Sequence, residues 1–406
     1  MMGPFKISLK SLRAKSLSTL LSIVLVAFGI GILTILLLAS SQINEKLTNN
    51  SKDIDLVVGA KGSPLQLVLS SIYYIDFPTG NIPYKDASDV ISNPLVKRAV
   101  PLALGDNYNG VRIVGTDSNF VGLYGLELAA GKFWKKDYET TIGAMVAENM
   151  HLKIGDSFFG AHGLTGITDV HKSHAYKVTG ILKPQGNVTD NLILTNIASV
   201  WKMHEEEEDE HHSMTHHDNE DSPDLQNKEL TSLLIQYRSP MSVVLFPRMI
   251  NESTNMQAAS PAMESARLFS LIGIGMETLQ WFSVLIMFIA LMSVFVNLYN
   301  SLKERSYDLA IMRTLGASKT KVFMIIITES VIITSLGSLI GLALGHLTVQ
   351  LIGSYQDSTQ ARITGLVFMR EELYLLLIGV LIGIFAAILP AIKAYKTNIS
   401  KILASD

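Results

Sequence analysis

The chain carries four long apolar runs, separated by stretches in which polar and apolar residues are mixed. The runs cover residues 16–41, 278–301, 322–353 and 373–392. Each is near or above the roughly 20 residues that an α-helix needs to cross the hydrocarbon core of a bilayer. The first run is also well beyond the roughly 7–15 apolar residues of a cleavable signal peptide. We therefore predict four transmembrane helices, the first of which is not removed as a signal.

The charged residues between these runs indicate how the helices are oriented. Lys and Arg dominate residues 1–15, 302–321 and 393–406, whereas acidic and basic residues are mixed in residues 354–372. By the positive-inside rule, the first three segments are cytoplasmic and the fourth is extracytoplasmic. The sequence thus predicts a multi-pass membrane protein with both termini in the cytoplasm.

Residues 42–277 then form one large extracytoplasmic region, which reads as mixed α and β. Short runs rich in β-branched residues and ended by Gly or polar residues are typical of strands. Helical spacing over residues 261–277 leads straight into the second apolar run, so we expect the first two membrane helices to continue outside as stalks. The predicted fold class is an α-helical membrane protein with four transmembrane helices and a large mixed α/β domain between the first and second. The predicted strands lie at residues 55–59, 111–115, 175–182 and 192–195.

An apolar stretch at residues 65–74 follows Gly62-Ser63-Pro64 inside this region. The pattern fits a buried helix. It also fits a surface that faces a ligand or touches the membrane, and the sequence leaves both interpretations open.

Residues 204–221 read HEEEEDEHHSMTHHDNED, with five His and nine carboxylates in 18 residues. This composition cannot bury a core, so we predict a mobile loop. One interpretation is a solvated insertion, and the other is a weak Zn²⁺ site, because imidazole and carboxylate groups are zinc ligands. The candidate ligands are His171, His174, His204, His211, His212, His216 and His217.

Composition and missing motifs exclude several classes of function. The net charge of −3 does not point to nucleic acid, and the absence of Cys excludes disulfides, thiolate metal sites and a Cys nucleophile. The sequence contains no G-x-x-x-x-G-K-[ST], G-x-S-x-G or H-E-x-x-H motif. We therefore expect a non-catalytic chain that binds no nucleotide cofactor itself.

Residues 301–315 read as a short amphipathic helix in the second cytoplasmic loop. Gly316 then ends this helix, and Ser318 can cap the third transmembrane helix. Such a helix can dock into a groove on a soluble partner, or it can lie on the membrane surface. The pattern alone leaves both interpretations open. The apolar stripe is predicted at Leu302, Leu309, Met312 and Leu315.

Polar and small residues interrupt the third apolar run. Glu329 is an intramembrane carboxylate, which is costly unless it is paired or faces the bundle interior. Gly337, Gly341 and Gly345 repeat at four-residue intervals, a spacing that allows close approach of a neighbouring helix. We predict a packing role for this stripe and leave the partner of Glu329 open.

Residues 303–318 read KERSYDLAIMRTLGAS, which resembles the second-loop signature of MacB/LolE/FtsX-type ABC transporter permeases. Glu329 and the glycine-spaced third run also match that pattern. The outer region resembles the MacB-like periplasmic core domain. Its matching motifs are GKF at 131–133, MVAEN at 145–149, KIGD at 153–156 and YKVTGIL at 176–182.

This resemblance implies that two such chains pair, as a homodimer or with a close paralogue. It also implies that each chain binds a separate ATPase subunit, which carries ATP and Mg, through the loop helix. Dimerisation of the ATPase subunits would then move the stalks and the outer domains. The implied ATPase-coupling residues are Arg305, Asp308, Leu309, Met312, Arg313, Leu315 and Gly316.

The expected function is therefore that of an ABC transporter permease subunit that moves lipoprotein, lipid, peptide or small amphiphile cargo outside the membrane. Membrane lipid and a periplasmic binding or adaptor protein are further expected partners. The His-rich loop also allows a version of this function in which the system handles a divalent metal such as Zn²⁺ or a metal-carrying partner. One alternative is an FtsX-like regulatory protein that activates a periplasmic hydrolase. Another is a membrane enzyme with its site in the outer domain.

Overall fold

Four helices of the described chain are long and apolar enough to cross a membrane. The structure is a computed structural model that describes residue 8 and residues 16–162, 174–203, 228–355 and 363–396. A further helical stretch covers residues 197–203. The helices are α1 (Ser16–Asn50), α2 (Pro64–Ser71), α3 (Tyr84–Ile91), α4 (Ser118–Tyr124), α5 (Ala144–Asn149), α6 (Ser242–Ser253), α7 (Pro261–Glu304), α8 (Ser306–Thr314), α9 (Lys319–Ser354) and α10 (Glu372–Lys396).

The chain divides into two units. The membrane unit comprises Met1–Ile43, Leu271–Asp357 and Ala361–Asp406, and the outer unit comprises Asn44–Ser270 and Ser358–Gln360. The four apolar helices α1, α7, α9 and α10 belong wholly or mainly to the membrane unit. Both α1 and α7 run without interruption past the apolar runs of the sequence, to Asn50 and from Pro261 respectively.

The helices of the membrane unit pack through a core of aliphatic side chains. Between α9 and α10, the Ser330 hydroxyl donates a hydrogen bond of 2.7 Å to the carbonyl of Gly383. A bond of this kind, made where small residues let two backbones approach, is how membrane helices associate without a hydrophobic driving force. The buried members of the core include Val26, Ile30, Ala290, Val294, Ile333, Ala386 and Ala387.

A mixed sheet organises the outer unit, with strand order β13-β1-β12-β3-β4-β10-β6-β9-β5. β7 pairs with β9, β8 pairs with β3, and β11 and β2 form a separate ribbon. The β10–β4 and β6–β9 pairs are parallel and the others are antiparallel. The strands are β1 (Leu56–Ala60), β2 (Ile82–Pro83), β3 (Val96–Tyr108), β4 (Val111–Thr116), β5 (Leu128–Gly131), β6 (Glu139–Ile142), β7 (Ser157–Phe158), β8 (Ala161–His162), β9 (Tyr176–Leu182), β10 (Ile193–Asn196), β11 (Glu229–Leu230), β12 (Ser232–Tyr237) and β13 (Met256–Ala259).

Both faces of this sheet are buried at strand β1, which lies between β13 and β12. In β1, Val57 packs into one hydrophobic cluster, whereas Leu56 and Val58 pack into another. Successive side chains of a strand point to opposite faces, so a strand covered on both sides is apolar throughout. This explains why the sequence shows continuous apolar runs here rather than strict alternation.

The apolar stretch at residues 65–74 forms α2 and the turn that follows it. The Ser63 hydroxyl caps the helix by accepting a hydrogen bond from the Gln66 amide, and Pro64 occupies the first turn. Leu67 and Val68 are buried in the core of the outer unit. The buried-helix interpretation is therefore correct, and the helix ends at Ser71.

Candidate functional site

The segment between the second and third apolar helices contains two helical pieces rather than one. Helix α7 continues to Glu304, Arg305 leaves helical geometry at φ −104° and ψ 15°, and α8 begins at Ser306. The single helix predicted over residues 301–315 is wrong in this respect. The backbone turn at Arg305 sets α8 apart from the membrane helix that precedes it.

A Schellman motif ends α8. The Gly316 amide donates to the Arg313 carbonyl, and the Ala317 amide donates to the Met312 carbonyl. Gly316 adopts φ +96°, which only glycine reaches without strain. The Ser318 hydroxyl then accepts a hydrogen bond of 3.2 Å from the Lys321 amide and caps α9. Together the two caps hold a tight turn between α8 and the third apolar helix.

Side-chain exposure divides α8 into an inner and an outer face. Ala310 is buried, and Leu309 packs against the core of the membrane unit together with Leu302 of α7. The exposed apolar residues of the segment form a different stripe, at four-residue spacing. They are Tyr307 at 45%, Ile311 at 37% and Leu315 at 73% exposure.

The predicted stripe of Leu302, Leu309, Met312 and Leu315 is therefore wrong at Leu315, whereas Leu302 and Leu309 share a face as predicted. Leu309 faces the bundle, whereas Leu315 is exposed beyond the end of α8. The sequence contained the signal for the outer stripe, because residues 307, 311 and 315 repeat every fourth position. The stripes differ because residues 301–304 continue α7 and α8 begins only at Ser306.

The remaining implied coupling residues differ in exposure. Asp308 and Gly316 are exposed, whereas Arg305, Met312 and Arg313 are partly buried. Basic residues outnumber acidic ones over residues 303–321. The outer face of α8 thus offers an apolar stripe in a basic surrounding, which suits docking to a protein groove.

Two cation–π contacts join the ends of this segment to α10. The Lys393 ammonium lies 4.2 Å from the ring centroid of Tyr299 in α7 and donates a 2.6 Å hydrogen bond to its hydroxyl. Lys319, at the start of α9, lies 5.6 Å from the ring centroid of Tyr395. The two helices that flank α8 therefore both contact the end of α10, and these contacts hold the two ends of the segment in place.

The glycine stripe of α9 lies against α1. A methyl group built on Gly341 would lie 3.0 Å from the Cα of Ala27, and one built on Gly345 would lie 2.7 Å from the Cβ of Thr34. Gly337 is similarly close to Val26. These separations leave no room for a larger side chain, and Glu329 on the same helix is buried within the membrane unit.

In the outer unit, the hydroxyl of Tyr73 bridges the two helices that also supply membrane segments. It donates a 3.1 Å hydrogen bond to the Leu47 carbonyl of α1 and lies 2.9 Å from the Ser265 hydroxyl of α7. Burial raises the pKa of Tyr73, which keeps the hydroxyl protonated. Asn50, the last residue of α1, also accepts a hydrogen bond from the Val188 amide. No sequence pattern predicts this contact, because the partners are far apart along the chain.

The candidate zinc ligands are not brought together in the described part of the chain. His174 stacks on the ring of Tyr138 with a centroid separation of 4.6 Å. Within residues 16–162, 174–203, 228–355 and 363–396, no group of three or more His, Cys, Asp or Glu side chains could hold a metal ion. The other candidates lie outside the described residues: His171, His204, His211, His212, His216 and His217.

Comparisons with known proteins identify the class. The family model for the FtsX-like permease C-terminal region matches residues 281–399. The model for the MacB-like periplasmic core domain matches residues 19–243, which is more than half of the chain. No curated protein sequence matches the chain.

Solved structures that match include two outer domains. One is the periplasmic region of MacB from Actinobacillus actinomycetemcomitans, with 8% identity and a TM-score of 0.34 over 55% of this chain and 97% of that one. The other is the extracellular domain of the ABC-type transporter YknZ from Gram-positive bacteria, with 11% identity and a TM-score of 0.31. That match covers 51% of this chain and 99% of the other.

Four apolar helices, a large mixed α/β unit and the two family matches define an ABC transporter permease of the inner membrane with an extracytoplasmic domain. The chain belongs to the MacB/FtsX-type family of ABC transporter permeases, as its loop signature predicted. Members of this family are non-catalytic subunits that work with an ABC ATPase partner.

Proposed function

We propose that this chain transmits ATP-driven movement of a separate ATPase subunit to its outer domain, where it moves a lipoprotein, lipid, peptide or small amphiphile. One observation carries the proposal. Each of α1 and α7 is a single helix that contains both an apolar run and residues that Tyr73 joins in the outer unit. An α-helix passes displacement along its axis because every backbone hydrogen bond lies within the segment.

The ATPase is proposed to dock on the outer face of α8. Tyr307, Ile311 and Leu315 provide apolar anchors. The two caps and the cation–π contacts hold the ends of the segment that carries them. This arrangement places the docking helix between the ends of α7 and α9, so a displacement of α8 acts on both helices. In this proposal residues 302–321 and both termini are cytoplasmic, and two such chains form the working unit.

Co-purification of the ATPase subunit with variants of the outer stripe tests the docking step. Ile311→Asp places a charge in the apolar stripe, and we expect about fivefold or more loss of bound ATPase, because truncating an interface anchor costs more than about 1 kcal/mol. Val244→Asp is the matched control, since Val244 is an exposed apolar residue of α6 in the outer unit. Unchanged recovery of the ATPase with folded Ile311→Asp protein would overturn the docking surface.

Leu309→Asp is not a clean test of docking. Leu309 packs, partly buried, against the core of the membrane unit, and an unpaired carboxylate there would destabilise the helices themselves. We expect Leu309→Asp to lower the unfolding temperature in detergent, whereas Ile311→Asp leaves it unchanged. The pair therefore separates loss of binding from loss of structure.

A link to a divalent metal is a separate proposal that rests on the His and acidic residues at 204–221. Isothermal titration of the full-length protein with Zn²⁺ tests it, with a variant lacking residues 204–221 as the control. Binding that is lost with the segment supports the link. Equal heats for the two proteins, or no binding tighter than millimolar, would remove metal from the account.

A further inference from the structure

Three consecutive apolar side chains are exposed on the segment that leads into α10. Leu366 and Phe368 are each 74% exposed, and Val367 is 46% exposed. They lie in residues 363–371, which form no helix or strand. Single exposed apolar residues are ordinary at a protein surface, whereas a cluster of them marks a surface that another molecule covers. The proposed docking of the ATPase does not use this cluster, so its partner has to be found separately.

Side chains of α9 bind the backbone of this segment. The Gly365 amide and the Thr364 hydroxyl each donate a 3.0 Å hydrogen bond to the side-chain oxygen of Gln350. Nδ1 of the buried His346 lies 2.6 Å from the Gly365 carbonyl and donates to it. Phe368 stacks on the same ring at a centroid separation of 4.4 Å. A methyl group built on Gly365 would overlap the His346 carbonyl, so the segment lies directly on α9.

Helices α10 and α1 hold the same segment at two further points. Oε1 of Glu372 accepts a 2.9 Å hydrogen bond from the Met369 amide, and its Oε2 lies 3.2 Å from Nε2 of His346. The Gln42 side chain of α1 accepts a 2.8 Å hydrogen bond from the Thr364 amide and donates one of 2.7 Å to the Thr364 carbonyl. All these residues belong to the membrane unit. Three of its helices therefore fix the position of one non-helical segment.

These bonds satisfy backbone groups that would otherwise require water. Side chains bind the amides of residues 364, 365 and 369 and the carbonyls of residues 364 and 365. The Leu366 amide donates to the Thr364 hydroxyl at 3.2 Å. Non-helical backbone is tolerated close to lipid only where its polar groups are bound within the protein. The segment meets this condition at the residues that precede and follow the apolar cluster.

The apolar cluster is followed along the chain by a lipid-facing stripe of α10. Exposed apolar residues recur there at four-residue spacing, and acyl chains cover such a stripe on a membrane-spanning helix. Between the cluster and this stripe lie Arg370 and Glu371, and Tyr374 follows, all three exposed. Charged and aromatic residues beside apolar ones are typical of the headgroup level of a bilayer. This continuity favours lipid over a second protein as the partner of the cluster. The stripe consists of Leu373, Leu377 and Leu381.

We propose that Leu366, Val367 and Phe368 insert into the lipid leaflet at this end of the bundle, and that Gln42 ties this lipid contact to α1. The apolar side chains of interfacial elements reach about 5–10 Å into the boundary between headgroups and acyl chains. The use of the tie rests on the proposed function, in which α1 moves with the ATPase. Movement of α1 then also displaces the inserted side chains and loosens lipid packing beside the bundle.

Power-saturation electron paramagnetic resonance tests the insertion, because the chain has no Cys and single spin labels can be placed at will. The full-length permease is labelled at Leu366→Cys or Phe368→Cys and placed in nanodiscs of phosphatidylethanolamine and phosphatidylglycerol. Oxygen, which concentrates among acyl chains, and a water-soluble nickel chelate are the two relaxing agents. Leu381→Cys on the stripe of α10 is the lipid reference, and Glu148→Cys, exposed on α5 of the outer unit, is the water reference. We expect the ratio of oxygen to nickel accessibility at both positions to lie between the two references.

Gln42→Ala in the Leu366→Cys background tests the tie to α1. It removes both bonds to Thr364, and we expect the ratio at position 366 to shift towards the water reference. Asn44→Ala is the matched control, since it removes an exposed carboxamide from the same helix and should leave the ratio unchanged. An equal ratio with and without the Gln42 side chain would overturn the tie.

Two results would overturn the insertion itself. One is the water value at either labelled position, which means that solvent covers the cluster. The other is low accessibility to both agents, which means that protein covers it, either a second copy of this chain or another partner. The permease is measured without its ATPase and without nucleotide. Failure of this test is therefore distinct from failure of the proposed function, which is read from recovery of the ATPase with Ile311→Asp.

Discussion

The hydroxyls of Tyr73 and Ser265 lie 2.9 Å apart, although 192 residues separate them in the chain. Because Tyr73 donates its proton to the Leu47 carbonyl, the Ser265 hydroxyl is the donor to the Tyr73 oxygen. One side chain of the outer unit is thereby bound to α1 and α7 at once. This contact is where we expect movement of the two helices to enter the outer domain.

Tyr73→Phe should break this joint while leaving the fold intact. Removal of the hydroxyl loses two hydrogen bonds, and we expect a loss of about 1–2 kcal/mol in the free energy of unfolding. We also expect cargo-stimulated ATPase activity of the reconstituted complex to fall, because the two helices are no longer bound to one residue. Tyr74→Phe is the matched control, since the Tyr74 hydroxyl is buried without a hydrogen-bond partner among the described residues. A loss of stability with Tyr74→Phe as large as with Tyr73→Phe would contradict the assignment.

The glycine stripe of α9 provides a test of helix packing. Gly341→Ala adds a methyl group within 3.0 Å of the Cα of Ala27, so we expect a destabilisation of about 1–3 kcal/mol. Gly275→Ala in α7 adds the same methyl group where nothing lies within 4 Å. It should leave the unfolding temperature unchanged or raise it slightly, because alanine has the higher helix propensity. Thermal unfolding in detergent compares the two variants, and equal unfolding temperatures would rule out close packing at Gly341.

The turn after α8 should be sensitive to its two caps. Ser318→Ala removes the hydrogen bond to the Lys321 amide and should cost about 1 kcal/mol. Gly316→Ala forces a side chain into φ +96° and should cost at least as much. Both changes should weaken binding of the ATPase without touching the outer stripe, as measured by titration of the ATPase onto the purified permease. Full affinity in the double variant would show that the position of α8 does not depend on this turn.

One acidic group of the outer unit should make stability depend on pH. The amides of Lys135 and Lys136 donate to Oε2 of Glu139, at 2.9 and 3.2 Å, and these bonds lower the pKa of the carboxyl group. The stability that this group contributes is present above its unfolded-state pKa and is lost as the pH falls through the lower folded-state value. We therefore expect Glu139→Gln to be less stable than wild type at neutral pH and the difference to shrink between about pH 5 and about pH 3. Urea unfolding of the full-length protein at several pH values measures this difference, and a constant gap would contradict it.

The sequence predicted the elements that depend on local pattern. The strands expected at 111–115 and 192–195 lie within a residue of β4 and β10, and the Ser318 cap is present. Apolar run length and turn residues are enough for such assignments, because each depends on neighbours along the chain. The family was recognisable for the same reason, since its loop signature is one short segment.

Features that depend on tertiary contact could not be predicted. The bend at Arg305 has no Gly or Pro to mark it, so the sequence pattern does not separate Leu309, which packs on the core of the membrane unit, from the exposed Leu315. The Tyr73 bridge and the contact of His346 with Glu372 join residues whose proximity follows only from the packing of helices and sheet. A polar residue in an apolar run shows that a partner is needed and does not show which one.

The most direct test of the central claim follows one stalk helix through the ATPase cycle. The chain has no Cys, so spin labels can be placed at Thr48→Cys, near the end of α1, and at Tyr355→Cys, directly after α9. Pulsed electron paramagnetic resonance then measures the distance between them in the complex with the ATPase, with labelled chains diluted by unlabelled ones. We expect the distance distribution to shift between the nucleotide-free and the ATP-trapped state, and the shift to disappear with Ile311→Asp. An unchanged distribution in the ATP-trapped wild-type complex would contradict transmission of movement through this helix.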